Sequence, residues 1–348
     1  MDKWYYNGEE IETVNSFKYL GFVFSETGKF KKGIDNIVLQ GQRALFNLYS
    51  SIENFESMYI NMQISLFDSL VSSVLCYACE IWGFAEAKKV ELVQLKFLKN
   101  ILKVRKTTPT CIVYRECNTF PLYLTRYFRI IKYWMKIITL DFNDPLRILY
   151  ETSLTLCTNN LDLNSNCWAS NVKTILYTNG FGYIWDNQQF GVDKSFLQVF
   201  KDRLIDAFWQ TNSGEIGELS THRLYRHLDY SSITYISDFP NNFVRVALTK
   251  LRLGSHNLLV ERGRWSNIAY ENRKCQLCDE IEDEYHLVMR CVKFHELRVR
   301  YLPKNVYIRP SMFKFLSLID SKDQFMLKKL GLFIHFAFNK YTADELLA

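Results

Sequence analysis

The sequence predicts a mainly α-helical protein: a small N-terminal β-hairpin and strand unit, then helical bundles, then a compact cysteine–histidine knuckle with flanking helices. Three observations carry this expectation. Aromatic and apolar residues alternate with a turn signal before residue 28; apolar residues recur at helical spacing from about residue 30 onward; and Cys275, Cys278, His286 and Cys291 fall within 17 residues of one another.

In chain order, Trp4-Tyr5-Tyr6 runs into Asn7-Gly8, a pair that accepts the positive φ angles of a type I′ turn, so a hairpin is expected there. Phe17 to Phe24 is rich in aromatic and apolar side chains and reads as a third strand. After Gly28 the period changes, and Ile34, Ile37, Val38, Leu45, Leu48 and Tyr49 mark one face of a helix. Further helices are expected from about Met58 to Trp82 and from about Ala87 to Val104, the second with Lys96, Lys99 and Lys103 outward and Pro109 closing it. Pro121 opens another, through Leu140, in which Arg126, Arg129, Lys132 and Lys136 form a basic stripe. Such a stripe either follows phosphates or is the solvated face that every amphipathic helix needs. Loops are expected at Cys157 to Asn166, at Gln210 to Ser220 with Gly214 and Gly217, and at Ser237 to Asn242 with Pro240.

Composition narrows the function classes. With 48% hydrophobic and 23% charged residues, the chain can bury a sizeable core and is neither disordered nor fibrous. The 43 Lys and Arg against 37 Asp and Glu give a net charge of +6, which suits a polyanionic partner without requiring one. Aromatic residues reach 16%; beside basic side chains they can stack on bases, or they can simply fill an aromatic core. No apolar stretch is long enough for a membrane span and the first residues lack a signal-peptide layout, so an intracellular, non-secreted protein is expected, cytoplasmic or nuclear. Nine cysteines then read as reduced thiols plus a metal site, with disulfides not expected.

The spacing Cys275-x2-Cys278-x7-His286-x4-Cys291 supplies three thiolates and one imidazole, a closed tetrahedral set for one structural zinc ion, a CCHC zinc knuckle. A closed shell leaves no metal-bound water to activate. The acidic run Asp279 to Glu284 between the second and third ligands reads as a solvated loop. Cys76-Tyr-Ala-Cys79 has CxxC spacing too, but sits in an apolar segment with no further ligand nearby and reads as buried thiols. Upstream of the knuckle, Arg245, Lys250, Arg252, His256, Arg262, Arg264, Arg273 and Lys274 accumulate within 30 residues around Trp265 and Tyr270. This segment either grips a nucleic-acid backbone or folds against the acidic loop. No catalytic constellation is evident; His222, His227 and His335 lack a recognisable partner pattern.

Several blocks, in order, resemble the C-terminal part of the polyprotein of non-LTR (LINE-type) retrotransposons, whose reverse transcriptase copies RNA at a nicked chromosomal site. Phe17-Lys18-Tyr19-Leu20-Gly21 resembles the strand that ends the polymerase palm, and the helices from Phe30 resemble the thumb. Leu75-Cys-Tyr77-Ala-Cys-Glu80-Ile-Trp82-Gly83 is similar to the thumb block Leu-x-Tyr-Gly-x-Glu-x-Trp. Leu251 to His256 with Glu261 to Arg264 resembles the segment before the knuckle, and Glu284-Tyr285-His286-Leu287 with Cys291-x2-Phe294-x3-Arg298 resembles the knuckle itself. Cysteines at 76 and 79 and Leu287 depart from the family pattern, and residues 140 to 240 match only in general character.

The resemblance implies four regions: 1–28 as a remnant of palm strands, 29–156 as a thumb-like bundle, 157–264 as a helical linker, and 265–348 as the knuckle with C-terminal helices. The palm motif Tyr-x-Asp-Asp and the family's endonuclease sets are absent from the sequence, so the catalytic palm is expected before Met1 and no enzyme activity is expected of the chain as it stands. The expected partners are RNA or DNA, and the missing polymerase portion in trans, with no membrane and no small-molecule substrate. A zinc-stabilised structural or protein-interaction module is the other reading, and salt dependence of binding separates the two.

Overall fold

Asn7 and Gly8 both carry positive φ (51° and 85°) and turn β1 (Tyr5–Tyr6) into β2 (Glu9–Glu10), as their types demand. The expected third strand is instead a second two-stranded hairpin, β3 (Ser16–Tyr19) and β4 (Phe22–Ser25), folded at Leu20-Gly21, where φ is 47° and 91°. Leu20 is an unusual residue for this conformation. Its carbonyl oxygen accepts from the Tyr77 hydroxyl, a long-range bond that no local pattern announces. The computed structural model describes residues 4–85, 87–158, 167–188, 194–230, 233, 235–240 and 243–347.

The described chain is about 67% helical, with two small antiparallel hairpins at its N-terminus and the cysteine–histidine cluster near its C-terminus. The helices run α1 (Lys31–Ser51), α2 (Ile60–Phe67), α3 (Ser73–Leu75), α4 (Cys79–Trp82), α5 (Lys88–Leu102), α6 (Thr110–Glu116), α7 (Leu122–Ile138), α8 (Pro145–Thr158) and α9 (Trp168–Thr178). They continue as α10 (Gly182–Asp186), α11 (Lys194–Glu218), α12 (Tyr235–Asp238), α13 (Phe243–Arg252), α14 (Leu259–Trp265), α15 (His295–Tyr301), α16 (Lys304–Tyr307), α17 (Met312–Ile319) and α18 (Gln324–Leu347). The helix expected over 58–82 is therefore interrupted: a π-helical stretch, Asp68–Ser72, follows α2, and Ala78, at φ 52°, breaks the chain between α3 and α4. Pro121 acts as expected and directly precedes α7, whereas Pro109, expected to close the helix over 87–104, lies beyond its end at Leu102 and instead directly precedes α6; the lost N–H costs nothing at either place.

The loop expected at Gln210 to Ser220 does not form, because α11 continues through both glycines to Glu218. Asn212 and Ile216 are buried one turn apart, and Asn212 binds the Cys111 carbonyl (2.9 Å) and accepts from Arg115 (2.9 Å). These contacts outweigh a glycine penalty of roughly 1 kcal/mol each. The loop expected at Cys157 to Asn166 falls mostly outside the described residues, although 157 and 158 still belong to α8. Of the segment at 237–242, residues 241 and 242 lie outside them as well. Among the described residues seven cysteines are free, but Cys167 is disulfide-bonded, which corrects the expectation of reduced thiols throughout. Cys76 and Cys79 are fully buried and hydrogen-bonded to each other, so this CxxC pair belongs to the core.

The chain divides into two compact units, each discontinuous in sequence: 1–48 with 68–94 and 121–206, and 49–67 with 95–120 and 207–348. In the first, Trp82 is fully buried and stacks on Phe22 (6.5 Å between centroids), while its Nε1 donates to the Tyr77 carbonyl (2.9 Å). The Arg126 guanidinium lies over the Trp82 ring, donates to Gly83 O (3.2 Å) and pairs with Glu91 (2.6 Å). Glu91 also accepts from the Leu122 N–H, so one carboxylate serves both the start of α7 and the buried arginine. Trp134, stacked on Trp185 and bonded to Tyr150, extends this aromatic core.

In the second unit, α13 lies along α18 so closely that a Cβ on Gly331 would meet Val244 at 2.6 Å. Around α13, the carboxylate of Glu116, fully buried, accepts from Tyr225 (2.8 Å), Tyr235 (2.5 Å) and Arg252 (2.8 Å), and Arg252 also pairs with Asp320 (3.0 Å). This network ties α6, α12, α13 and the end of α17 together. Removing one partner of such a buried pair costs about 3–5 kcal/mol. Among the described residues no helix is long and apolar enough to cross a membrane.

Candidate metal centre

Cys275, Cys278, His286 and Cys291 each place one ligand atom within 4.8 Å of all the others, and the group can hold a metal ion. The local chain explains how. An antiparallel bridge, Lys274 to Ile281, closes the first turn, with Cys275 N bonded to Glu280 O (2.8 Å) and Asp279 N to Cys275 O (2.9 Å). Asp279 takes the left-handed conformation (φ 55°) that lets the chain reverse just after Cys278. His286 opens the short π-helical stretch His286–Arg290, and the Cys291 N–H returns to His286 O (2.8 Å), which brings the last thiol beside the imidazole.

Two observations test the fit. The Sγ atom of Cys291 lies 3.9 Å from that of Cys275 and 4.0 Å from that of Cys278. A tetrahedral ion with metal–sulfur bonds of about 2.3 Å separates its sulfurs by about 3.8 Å, close to both values. His286 is buried and its Nε2 has no hydrogen-bond partner in the protein, whereas its Nδ1 sits 3.1 Å from Glu280 Oε2. A buried ring nitrogen without a partner costs about 1–3 kcal/mol unless something binds it. The carboxylate on the other nitrogen fixes the tautomer with a bare Nε2, the form that ligates metals. Burial and the neighbouring Cys275 and Cys278 push the Cys291 thiol up to about 12. The Cys291 thiol therefore keeps its proton until a cation displaces it.

The acidic run is not the solvated loop its composition suggests. Only Asp279 stays strongly exposed. Glu280 holds His286 and pairs with Arg290 (3.1 Å); Glu282 accepts from Leu259 N (2.9 Å) and the Tyr341 hydroxyl (2.5 Å); and Glu284 binds His256 Nε2 (2.9 Å). Asp283 accepts from His286 N, and burial pushes its carboxyl up to about 6. Arg298, which follows Cys291 by seven residues, is buried and donates to the carbonyls of Cys291 and Leu287, clamping the knuckle's last turn.

The basic residues singled out in the sequence separate into two groups. Arg126, Arg245, Arg252 and His256 are all buried. Arg126 and Arg252 belong to the ion pairs described above, Arg245 donates to Ile101 O (3.0 Å), and His256 is held by Glu284. None of these four presents a charge to a partner, which corrects their reading as phosphate contacts. A full-length stripe on α7 is accordingly lost: Arg129 is half-buried and donates to Cys76 O, leaving Lys132 and Lys136 exposed. Lys250 is half-buried, Arg273 donates to Ile268 O and Val260 O, Arg264 pairs with Glu261 (2.8 Å), and Lys274 pairs with Asp279 (3.1 Å). Arg262 and Trp265 are exposed on α14, and the Arg264 guanidinium stacks on the Trp265 ring at 5.6 Å. Compared with protein-family models, curated proteins and solved structures, the chain gives no match in any of the three.

Proposed function

We propose that the chain is a nucleic-acid-binding protein built from the thumb-like, linker and knuckle parts of a LINE-type reverse transcriptase, and that it binds RNA or DNA without polymerising. One zinc ion, held by Cys275, Cys278, His286 and Cys291, stabilises the knuckle: three thiolates and an imidazole with no open position favour zinc in a structural role. The observation that carries the binding reading is the arginine–aromatic surface beside the knuckle. Arg264 lies over the ring of the exposed Trp265, and Arg223 lies over Tyr270 at 4.0 Å. Guanidinium groups beside accessible rings combine phosphate neutralisation with base stacking, the two terms that single-stranded nucleic acid uses. Lys132 and Lys136, exposed on α7, add positive charge of the same kind.

The resemblance supports the same reading from the sequence side. The sequence holds no Tyr-x-Asp-Asp, so nothing in it supplies the carboxylates that polymerisation needs. The test is binding of the purified, metal-loaded chain to labelled single-stranded RNA and to nicked duplex DNA over a range of salt. Affinity is expected to fall along a log–log line whose slope counts the phosphates contacted, through counterion release. Binding that ignores salt, or no binding at all, would transfer the knuckle to the role of a structural or protein-interaction module.

A further inference from the structure

Beside the knuckle, within the second unit, lies a cavity of about 360 Å³. That volume is at the small end of the range for ligand sites, roughly 300–1,000 Å³, which suits one small ring system rather than an extended chain. Its floor is apolar, made by Leu224, Val260 and Phe315, and its rim carries Arg223, Tyr270 and Arg273. Neither Arg223 nor Arg273 has a carboxylate partner among the described residues: Arg223 lies on the Tyr270 ring, and Arg273 donates only to backbone carbonyls. The carboxylates that reach the cavity are already engaged, Glu261 by Arg264, Glu284 by His256, and Asp283 by the His286 N–H.

One wall is unusual. His222 is 6% exposed yet held in the left-handed conformation, φ 55° and ψ 44°, a strained state for a residue with a Cβ. Its Nδ1 is bonded to Thr221 Oγ1 at 2.8 Å, which leaves the Nε2 edge as the one polar edge of the ring without a partner. Burial, and then Arg264, lower its pKa to about 4, so the imidazole is neutral and offers a single donor or acceptor rather than a charge. Gly254 makes room for it. At φ +57° a Cβ on that residue would sit 2.9 Å from the His222 ring, so the wall needs glycine for both its conformation and its space.

We propose that this cavity receives one unstacked base of a single-stranded nucleic acid: the ring seated on the apolar floor against Tyr270, its edge read by His222, and the flanking phosphates met by Arg223 and Arg273. An apolar seat, one neutral polar edge and two guanidinium groups without carboxylate partners at the mouth match a base with its backbone and match a protein side chain poorly. The inference rests on the nucleic-acid reading above and adds where and how a strand is read.

The test is photocrosslinking of the zinc-loaded chain to single-stranded RNA carrying one 4-thiouridine, with the crosslinked peptide identified by mass spectrometry. The expected result is a crosslink within residues 220–224 or at Tyr270, absent when the 4-thiouridine is base-paired in a duplex. Leu316→Trp, which fills the cavity from half-exposed α17, should abolish this crosslink, and the exposed Arg223→Ala should weaken single-strand binding about tenfold, the loss typical of one stacking or charge-assisted contact. Zinc content and circular dichroism verify that both variants fold. Crosslinks confined to other peptides, with binding intact, would overturn the pocket while leaving the nucleic-acid reading in place. Absence of binding to any strand would overturn both. Equal crosslinking of free 4-thiouridine monophosphate would show a nucleotide site rather than strand reading, and would likewise reject the proposal as stated.

Discussion

At the level of single residues, chemistry at the knuckle is set by which atoms have partners. His286 has one ring nitrogen engaged by Glu280 and the other bare and buried within a group of three thiols, an arrangement that can hold a metal ion. Glu280 orients the imidazole and, for a metal bound there, would act as a positioning group. Replacing it by Gln keeps the shape, removes the charge and is expected to weaken metal affinity about 10- to 100-fold, as loss of such outer partners does. Competition with a chromophoric chelator measures this; an unchanged affinity would mean that Glu280 is merely nearby. His256 also has one nitrogen held by a carboxylate and the other buried without a partner, but it lies outside the cysteine group. It precedes the knuckle in a basic run, yet Glu284 claims its Nε2 in the interior, so its place is structural.

Among the elements, α11 is the clearest case of packing overriding composition. Gly214 and Gly217 face open space, with nothing within 4 Å of the point where a Cβ would sit, and both lie inside a helix that Asn212 and Ile216 anchor. Gly214→Ala and Gly217→Ala are therefore expected to stabilise the fold by about 0.4–1 kcal/mol each, chiefly by restricting the unfolded chain. Denaturant or thermal melts of the two single variants check it; a loss of stability would show that the glycines serve a bend or a contact. α7 teaches a related lesson. Its four basic residues share a helical stripe, but Glu91 and the Gly83 carbonyl draw Arg126 inward, and only the C-terminal half of the stripe reaches solvent.

For the whole molecule, the candidate metal site and the local fold coincide in one place. The knuckle's backbone bonds from Arg273 to Phe294 close around the four ligands, whereas the core of the first unit rests on Trp82, Trp134 and their neighbours. Chelation is expected to remove hydrogen-exchange protection from about 270 to 300 and leave α1 and α7 protected, since metal binding in such sites contributes on the order of 10 kcal/mol to local folding. Cys278→Ser should act in the same way. Protection that persists in that segment after complete chelation would count against a structural ion.

Local and periodic features were readable from the chain alone: the mainly helical class, the Asn7-Gly8 hairpin, the helix start behind Pro121, and the four residues of the cysteine–histidine cluster, whose spacing brings them together. Helical period, turn chemistry and ligand spacing are properties of residues a few positions apart, so no knowledge of distant contacts is needed to read them. Everything else depended on packing. Leu20 turns a strand into a hairpin because Tyr77 holds its carbonyl; α11 passes through two glycines because Asn212 reaches Cys111; and Arg252 is internal because Glu116 waits 136 residues away. The fate of a polar side chain depends on which distant partner neutralises it in the interior, and that pairing is fixed by the tertiary fold, not by its neighbours in the chain.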